Sequence, residues 1–210
     1  MSNKDIWPER VCYQDPYRRL VFGRTKEELA KAVRDIDRLM ARDFERADVF
    51  IITYGMAEIF VNRRSGKVAC QKPLYFGGGG AVETVFKQSS FVENLNAITR
   101  TIDLIREVKP TSKIFLTVSP VALERTFTEN DIIVANCEGK SILRSVLGEI
   151  SRNHEDVIYF PAYEVVTQGV TRGFESDGRH VNSAMVGSIM QAFVEAHCRF
   201  PSHSTSAIVR

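Results

Sequence analysis

The chain has 210 residues, 44% of them hydrophobic, with 28 basic side chains against 26 acidic ones. That is apolar mass enough for a folded core, and too little net charge for a disordered or nucleic-acid-binding chain. No apolar run approaches the roughly 18 residues that would cross a membrane, and the polar opening "MSNKDIWPER" lacks the apolar centre of a secretion signal.

We therefore read a cytoplasmic protein with one domain over residues 1–200 and a loose polar tail at 201–210. Cys12, Cys70, Cys137 and Cys198 are scattered, with no paired ligand spacing among themselves or with a histidine. They are expected to be buried, reduced thiols without disulfides, and no metal or cofactor is expected.

In chain order, "RTKEELAKAVRDIDRLMARDF" reads as a helix. Thr25 and Glu28 form a capping box, and Leu29, Val33, Ile36 and Met40 share one face. "VFIITY" at 49–54 is a short apolar run rich in β-branched residues, the pattern of a strand covered on both faces. "FVENLNAITRTIDLIREVKP" is a second helix, with Val92, Leu95, Ile98, Ile102 and Ile105 on one side and Pro110 as its stop. "KIFLTVSP" is a buried strand ended by Pro120. "KSILRSVLGEISRN" is a third helix through Ile142, Leu143, Val146 and Ile150, and "VIYFPAY" a third strand. "NSAMVGSIMQAFVEAHC" is the last helix, with Met185, Ile189 and Phe193 on one side and Val186 and Met190 beside them.

Alternating helices and strands predict a parallel sheet wrapped on both faces. Right-handed crossovers bring the C-terminal strand ends to one edge, where open α/β sheets bind ligands. Three segments reach that edge: residues 54–58, 119–121 and 163–180.

The last of these holds "ESDGRHVN", with Asp177 three residues before His180. A carboxylate on one imidazole nitrogen fixes the tautomer and leaves the other nitrogen as a base. The same letters also suit a plain turn leading to an N-cap at Asn182 or Ser183. In "TYGMAEIF", Gly55 lets the backbone approach a ligand closely, with Tyr54 before it and Glu58 after it. The alternative there is a strand-ending turn with a solvated glutamate. Ser119 precedes Pro120, which does not suit a nucleophile elbow, so it reads as fixing a turn. "GGGG" at 77–80 lacks the Gly-Lys-Ser/Thr ending of a phosphate loop and reads as a flexible loop or lid.

Together, "DVFIITYGMAEIF", "KIFLTVSPVALERT", "ANCEGKSILRSVLGEI", "VIYFPAYEVV" and "SDGRHVN" resemble, in order, the blocks of GSCFA-domain proteins, a family similar to the SGNH/GDSL hydrolases. The likeness runs over roughly residues 15–193. It implies a flavodoxin-like, three-layer α/β/α fold with a mainly parallel sheet, and hydrolysis or transfer of an acyl group. It places Asp177 and His180 as acid and base. Tyr54, Gly55, Glu58 and Ser119 become the expected oxyanion or substrate-binding set. Ala57 stands where the family's oxyanion-hole asparagine would be, so that role would pass to backbone N–H groups or a protonated Glu58.

The family's Gly-Ser-Cys-Phe-Ala motif, with its expected serine nucleophile, occurs nowhere in the sequence. Of the strand order 2-1-3-4-5 that the resemblance implies, only strands three, four and five are recognisable, which leaves "VFIITY" as an open edge. A longer gene product, a partner segment or second copy, or a local strand from "RRLVFG" at 18–23 would each cover it. The expected function is an SGNH-like esterase or acyltransferase on a small-molecule or carbohydrate ester, O-acetylated ones included, inactive as this chain alone. Ser119, at the ligand edge, is the candidate for a relocated nucleophile. The alternative is a binding or scaffold protein that kept the fold without the nucleophile. A nucleotide-binding flavodoxin-like protein is disfavoured by the lack of a phosphate loop. Neither nucleic acid nor membrane is expected as a partner.

Overall fold

The computed structural model describes residues 13–70, 84–169 and 172–198. Its elements are β1 (Tyr13–Gln14), β2 (Phe22–Gly23), α1 (Lys26–Arg46), β3 (Val49–Tyr54), β4 (Glu58–Asn62), β5 (Val68–Ala69), β6 (Thr84–Gln88), α2 (Phe91–Val108), β7 (Lys113–Val118), α3 (Ile132–Asn153), β8 (Val157–Tyr159), α4 (Ala162–Thr167) and α5 (Ser183–His197). The class is α/β. β3, β7 and β8 form a parallel sheet in that order, while β5–β4–β6 and β1–β2 are separate antiparallel sheets.

Strand alternation sorts the parallel sheet into two faces. Ile114, Leu116 and Val118 of β7 are fully buried on one face, against Ile98, Ile102 and Ile105 of α2 and Leu143, Val146, Leu147 and Ile150 of α3. Each such side chain contributes about 1.5–3 kcal/mol by leaving water. Phe44, Phe50, Ile52 and Tyr54 pack at the margin of this core. On the opposite face, Phe193 and His197 of α5 meet Phe115, with ring centroids 5.0 and 4.8 Å away, and Phe193 also meets Phe160 at 5.1 Å.

The expectation that the first strand is covered on both faces is overturned. Val49 and Ile51 are 48% and 56% exposed. The reason is geometric: α5 reaches β7 and the end of β8, and nothing among the described residues covers the outer face of β3. α1 turns the other way, touching the sheet through Phe44 on Phe50. Its stripe of Leu29, Val33, Ile36 and Met40 is therefore only partly covered, and no residue of α1 is buried. Residues 18–23 do not mend the open edge either. Phe22–Gly23 pairs with Tyr13–Gln14, and Gly23 sits so tightly under α1 that a Cβ there would fall 2.3 Å from the Leu29 nitrogen.

Local chemistry explains the remaining differences. Thr25 Oγ accepts from Glu28 N as expected, but the Glu28 carboxylate takes the N–H of Arg24 rather than that of Thr25. α2 carries a full capping box from Ser90 and Glu93. α3 begins at Ile132, eight residues ahead of the expected start, because Asp131 caps it. The antiparallel β4–β5–β6 sheet was not expected. "IFVN" and "TVFKQ" pair antiparallel, and Gly66, with φ +67°, lies in the turn that joins β4 to β5. Cys70, Cys137 and Cys198 are free but exposed, contrary to the expectation of burial, since each lies at a turn, on an outward helix face or at a helix end. Cys12, the glycine run at 77–80 and the tail at 201–210 fall outside the described residues. Among the described residues, no helix is long and apolar enough to cross a membrane.

The two faces differ in what they contribute to stability. Replacing Ile114, which has no exposure, with alanine should cost about 2–5 kcal/mol in urea unfolding. Ile51→Thr, on the bare face of β3, should stay within about 0.5 kcal/mol of the parent.

Candidate active site

The loop that carries Asp177 and His180 is folded by its own backbone. Glu175 N donates to His180 O at 2.7 Å, Gly178 N to Glu175 O at 3.0 Å and Asn182 N to Gly173 O at 3.0 Å, while Phe174 and Val181 form a bridge. The reversal requires φ +67° at residue 178, where glycine bears no penalty. Asn182 then caps α5, accepting from Met185 N at 2.9 Å and tying back to Arg172 O at 2.8 Å. The turn and N-cap reading is thus correct, and it coexists with the side-chain pair.

Asp177 Oδ1 accepts the backbone N–H groups of Arg179 and His180, both at 2.9 Å, and Oδ2 meets His180 Nδ1 at 2.5 Å. The His180 side chain, followed by these two amides, holds the Asp177 carboxyl far below the usual carboxylate range. His180 Nε2 lies 3.2 Å from an Arg179 guanidinium nitrogen. A guanidinium only donates, so Nε2 must accept, and the proton sits on Nδ1 facing the carboxylate. This is the tautomer of a general base. Both side chains are about half exposed, at 45% and 53%.

Among the described residues, none of the other expected site residues is hydrogen-bonded to Asp177 or His180. Tyr54 points into the core face, where burial pushes its phenol up to about 12, and its hydroxyl has no hydrogen-bond partner among the described residues. Glu58 is not the solvated glutamate of a strand-ending turn. It is buried, accepting from Thr126 Oγ1 at 2.6 Å and from Phe127 N at 2.9 Å, so it anchors the segment after β7. Ser119 N donates to Tyr54 O at 2.8 Å and its Oγ accepts from Val121 N at 3.3 Å, so its hydroxyl fixes the turn. Gly55 and Glu58 line a narrow cleft with Leu123, Asn136 and Lys140, to which the 172–182 loop contributes nothing.

Lys140 is the residue that sequence reading passed over. It is 2% exposed, and its ammonium donates to Gly55 O at 2.8 Å and Ser119 O at 2.7 Å, bridging the C-terminal ends of β3 and β7. Burial pulls its pKa down to about 8. The signal was available: Lys140, Leu143, Leu147 and Ile150 recur at helical spacing, which sets a cation on the apolar stripe.

A family model described as "GSCFA family" matches residues 1–193, and the chain belongs to that family. A comparison with curated proteins finds no match. Among solved structures, a Streptococcus pneumonia protein provisionally called a platelet activating factor is similar at 13% identity and a TM-score of 0.43, over 80% of this chain and 98% of that one.

The buried lysine makes stability depend on pH. Between about 8 and the ordinary value of 10.5, the unfolded chain holds the proton that the folded one has lost, so stability rises with pH there. The gain approaches ~3 kcal/mol. Tyr54 acts in the opposite sense once pH passes its unfolded value of 10, because its folded value is raised. Urea unfolding from pH 8 to 10 should therefore show rising stability in the parent and a flat profile in Lys140→Met.

Proposed function

We propose that the protein is an SGNH-like esterase or acyltransferase in which Asp177 and His180 are the acid–base pair. The observation that carries this reading is the 2.5 Å bond between Asp177 and His180 Nδ1 in a chain of the GSCFA family. With Nδ1–H held by the carboxylate, Nε2 keeps its lone pair and takes a proton from an attacking hydroxyl or water. Asp177 then stabilises the imidazolium without being protonated itself. Arg179 occupies that lone pair in this arrangement and must swing away before the base can act. The parallel sheet between helices supports a flavodoxin-like, SGNH-type architecture. The substrate is an acyl ester of a small molecule or carbohydrate, and the setting is the cytoplasm.

The sequence contains no Gly-Ser-Cys-Phe-Ala motif, so a covalent mechanism needs its nucleophile from another segment or chain. The open edge of β3 is where such a segment or a second copy would add. A second reading, a binding or scaffold protein, draws support from the Arg179 contact on Nε2 and from the half-exposed setting of the pair.

Turnover of a chromogenic acetyl ester and labelling by a fluorophosphonate probe test the proposal. The chain alone should turn over little ester and take no label. Adding a segment that bears the Gly-Ser-Cys-Phe-Ala motif should restore both, and His180→Ala should then lower turnover by roughly 10²–10⁴-fold. Turnover by the chain alone with a label on Ser119, both lost in Ser119→Ala, would show a relocated nucleophile instead. Inactivity under every condition would favour the binding protein. Arg179→Ala should speed the acylation of His180 by diethyl pyrocarbonate, followed by absorbance at the imidazole, because it uncovers Nε2.

A further inference from the structure

The residues after β3 are held from behind at three points. Gly55 O is taken by Lys140, Ala57 O receives both the N–H and the hydroxyl of Ser89 at 2.8 and 2.7 Å, and the Glu58 carboxylate is tied to residues 126 and 127. In a trans peptide, the carbonyl of one residue and the N–H of the next point in opposite directions. Drawing Gly55 O inward to Lys140 therefore turns the Met56 N–H outward. Met56 is 56% exposed, and its N–H has no acceptor among the described residues. The second carbonyl on Lys140, that of Ser119, precedes Pro120, so that peptide offers no N–H at all.

We propose that Lys140 is a positioning residue: by gathering the Gly55 and Ser119 carbonyls it presents the Met56 N–H as the donor for an acyl oxyanion at the C-terminal edge of the sheet. The proposal rests on the esterase reading above and extends it, because Ala57 supplies no side-chain donor. A hydrophobic residue at 140 would fill the helix stripe without the desolvation that a buried ammonium costs. The ammonium provides a compact point charge that reaches two carbonyls on two strands at once. Its charge also lies one peptide away from where the anion would form. Glu58 is the ionisable group sharing the narrow cleft with Lys140, and its carboxylate is already engaged.

Amide NMR on the full chain tests this without relying on turnover. Sodium acetate, a carboxylate standing in for the oxyanion, is titrated into the ¹⁵N-labelled parent, Lys140→Met and His180→Ala. The expected result is a Met56 amide shift in the parent and His180→Ala, with apparent affinity about tenfold weaker in Lys140→Met, because the Gly55–Met56 peptide is no longer held and the nearby charge is gone. In the parent, the response should weaken as pH rises through about 8. An unchanged Met56 response in Lys140→Met, or no response in the parent, overturns the proposal. If Lys140→Met does not fold cooperatively, the parent measured on either side of pH 8 decides, and equal affinity overturns it. Failure of the esterase reading would show instead in the ester assay, as turnover indifferent to His180, with the Met56 response intact.

Discussion

Ile114, Leu116 and Val118 of β7 have no exposure to water, and their strand is hydrogen-bonded to a parallel neighbour on each side. These two facts position everything else. Because β7 is satisfied on both edges, its C-terminal end must sit between those of β3 and β8, and the residues that follow the three strands share one rim. Because one face of β7 belongs to α2 and α3 while the other meets α5, the chain must cross the sheet between α3 and α5. The loop that makes this crossing carries Asp177 and His180.

Elements decided by their own periodicity were legible in the sequence. α2 buries Ile98, Ile102 and Ile105 as the spacing requires, and β3 and β7 pair in register from Val49↔Lys113 to Tyr54↔Val118. What could not be read was what lies against an element. "VFIITY" has the composition of a doubly covered strand, yet its outer face meets no helix, because coverage depends on partners and not on the strand's own letters. The early start of α3 was hidden by Ile132, Ile133 and Val134, which mimic a strand, while Asp131 supplied the cap. At the candidate site, the Asp177–His180 contact was legible because both residues lie in one short turn. Lys140 was obscured because its partners, two backbone carbonyls, are anonymous in sequence.

The two charged features of the candidate site work in opposite electrostatic regimes. Asp177 and His180 stand in water, where a low carboxylate pKa arises from three donated hydrogen bonds and little from burial. Lys140 is enclosed, and its behaviour is set by desolvation. Salt should weaken the long-range influence of the first and barely touch that of the second, since screening acts through solvent. A centre assembled from both would combine an adaptable, solvent-coupled base with a rigid, dry support for the backbone.

The β4–β5–β6 sheet interrupts the path from β3 to β7, so the strands that pair at Val49↔Lys113 are more than sixty residues apart in sequence. Closing so long a loop is entropically costly before any contact repays it, whereas a hairpin such as β4–β5 draws on neighbours only a few residues away and forms on a timescale of roughly microseconds. Contact order therefore favours the β4–β5 hairpin and the capped helices over the parallel sheet as the first structure to form. The rim that brings Gly55 to Lys140 is a product of the parallel sheet's closure. Any species trapped before it would hold native secondary structure with no assembled site.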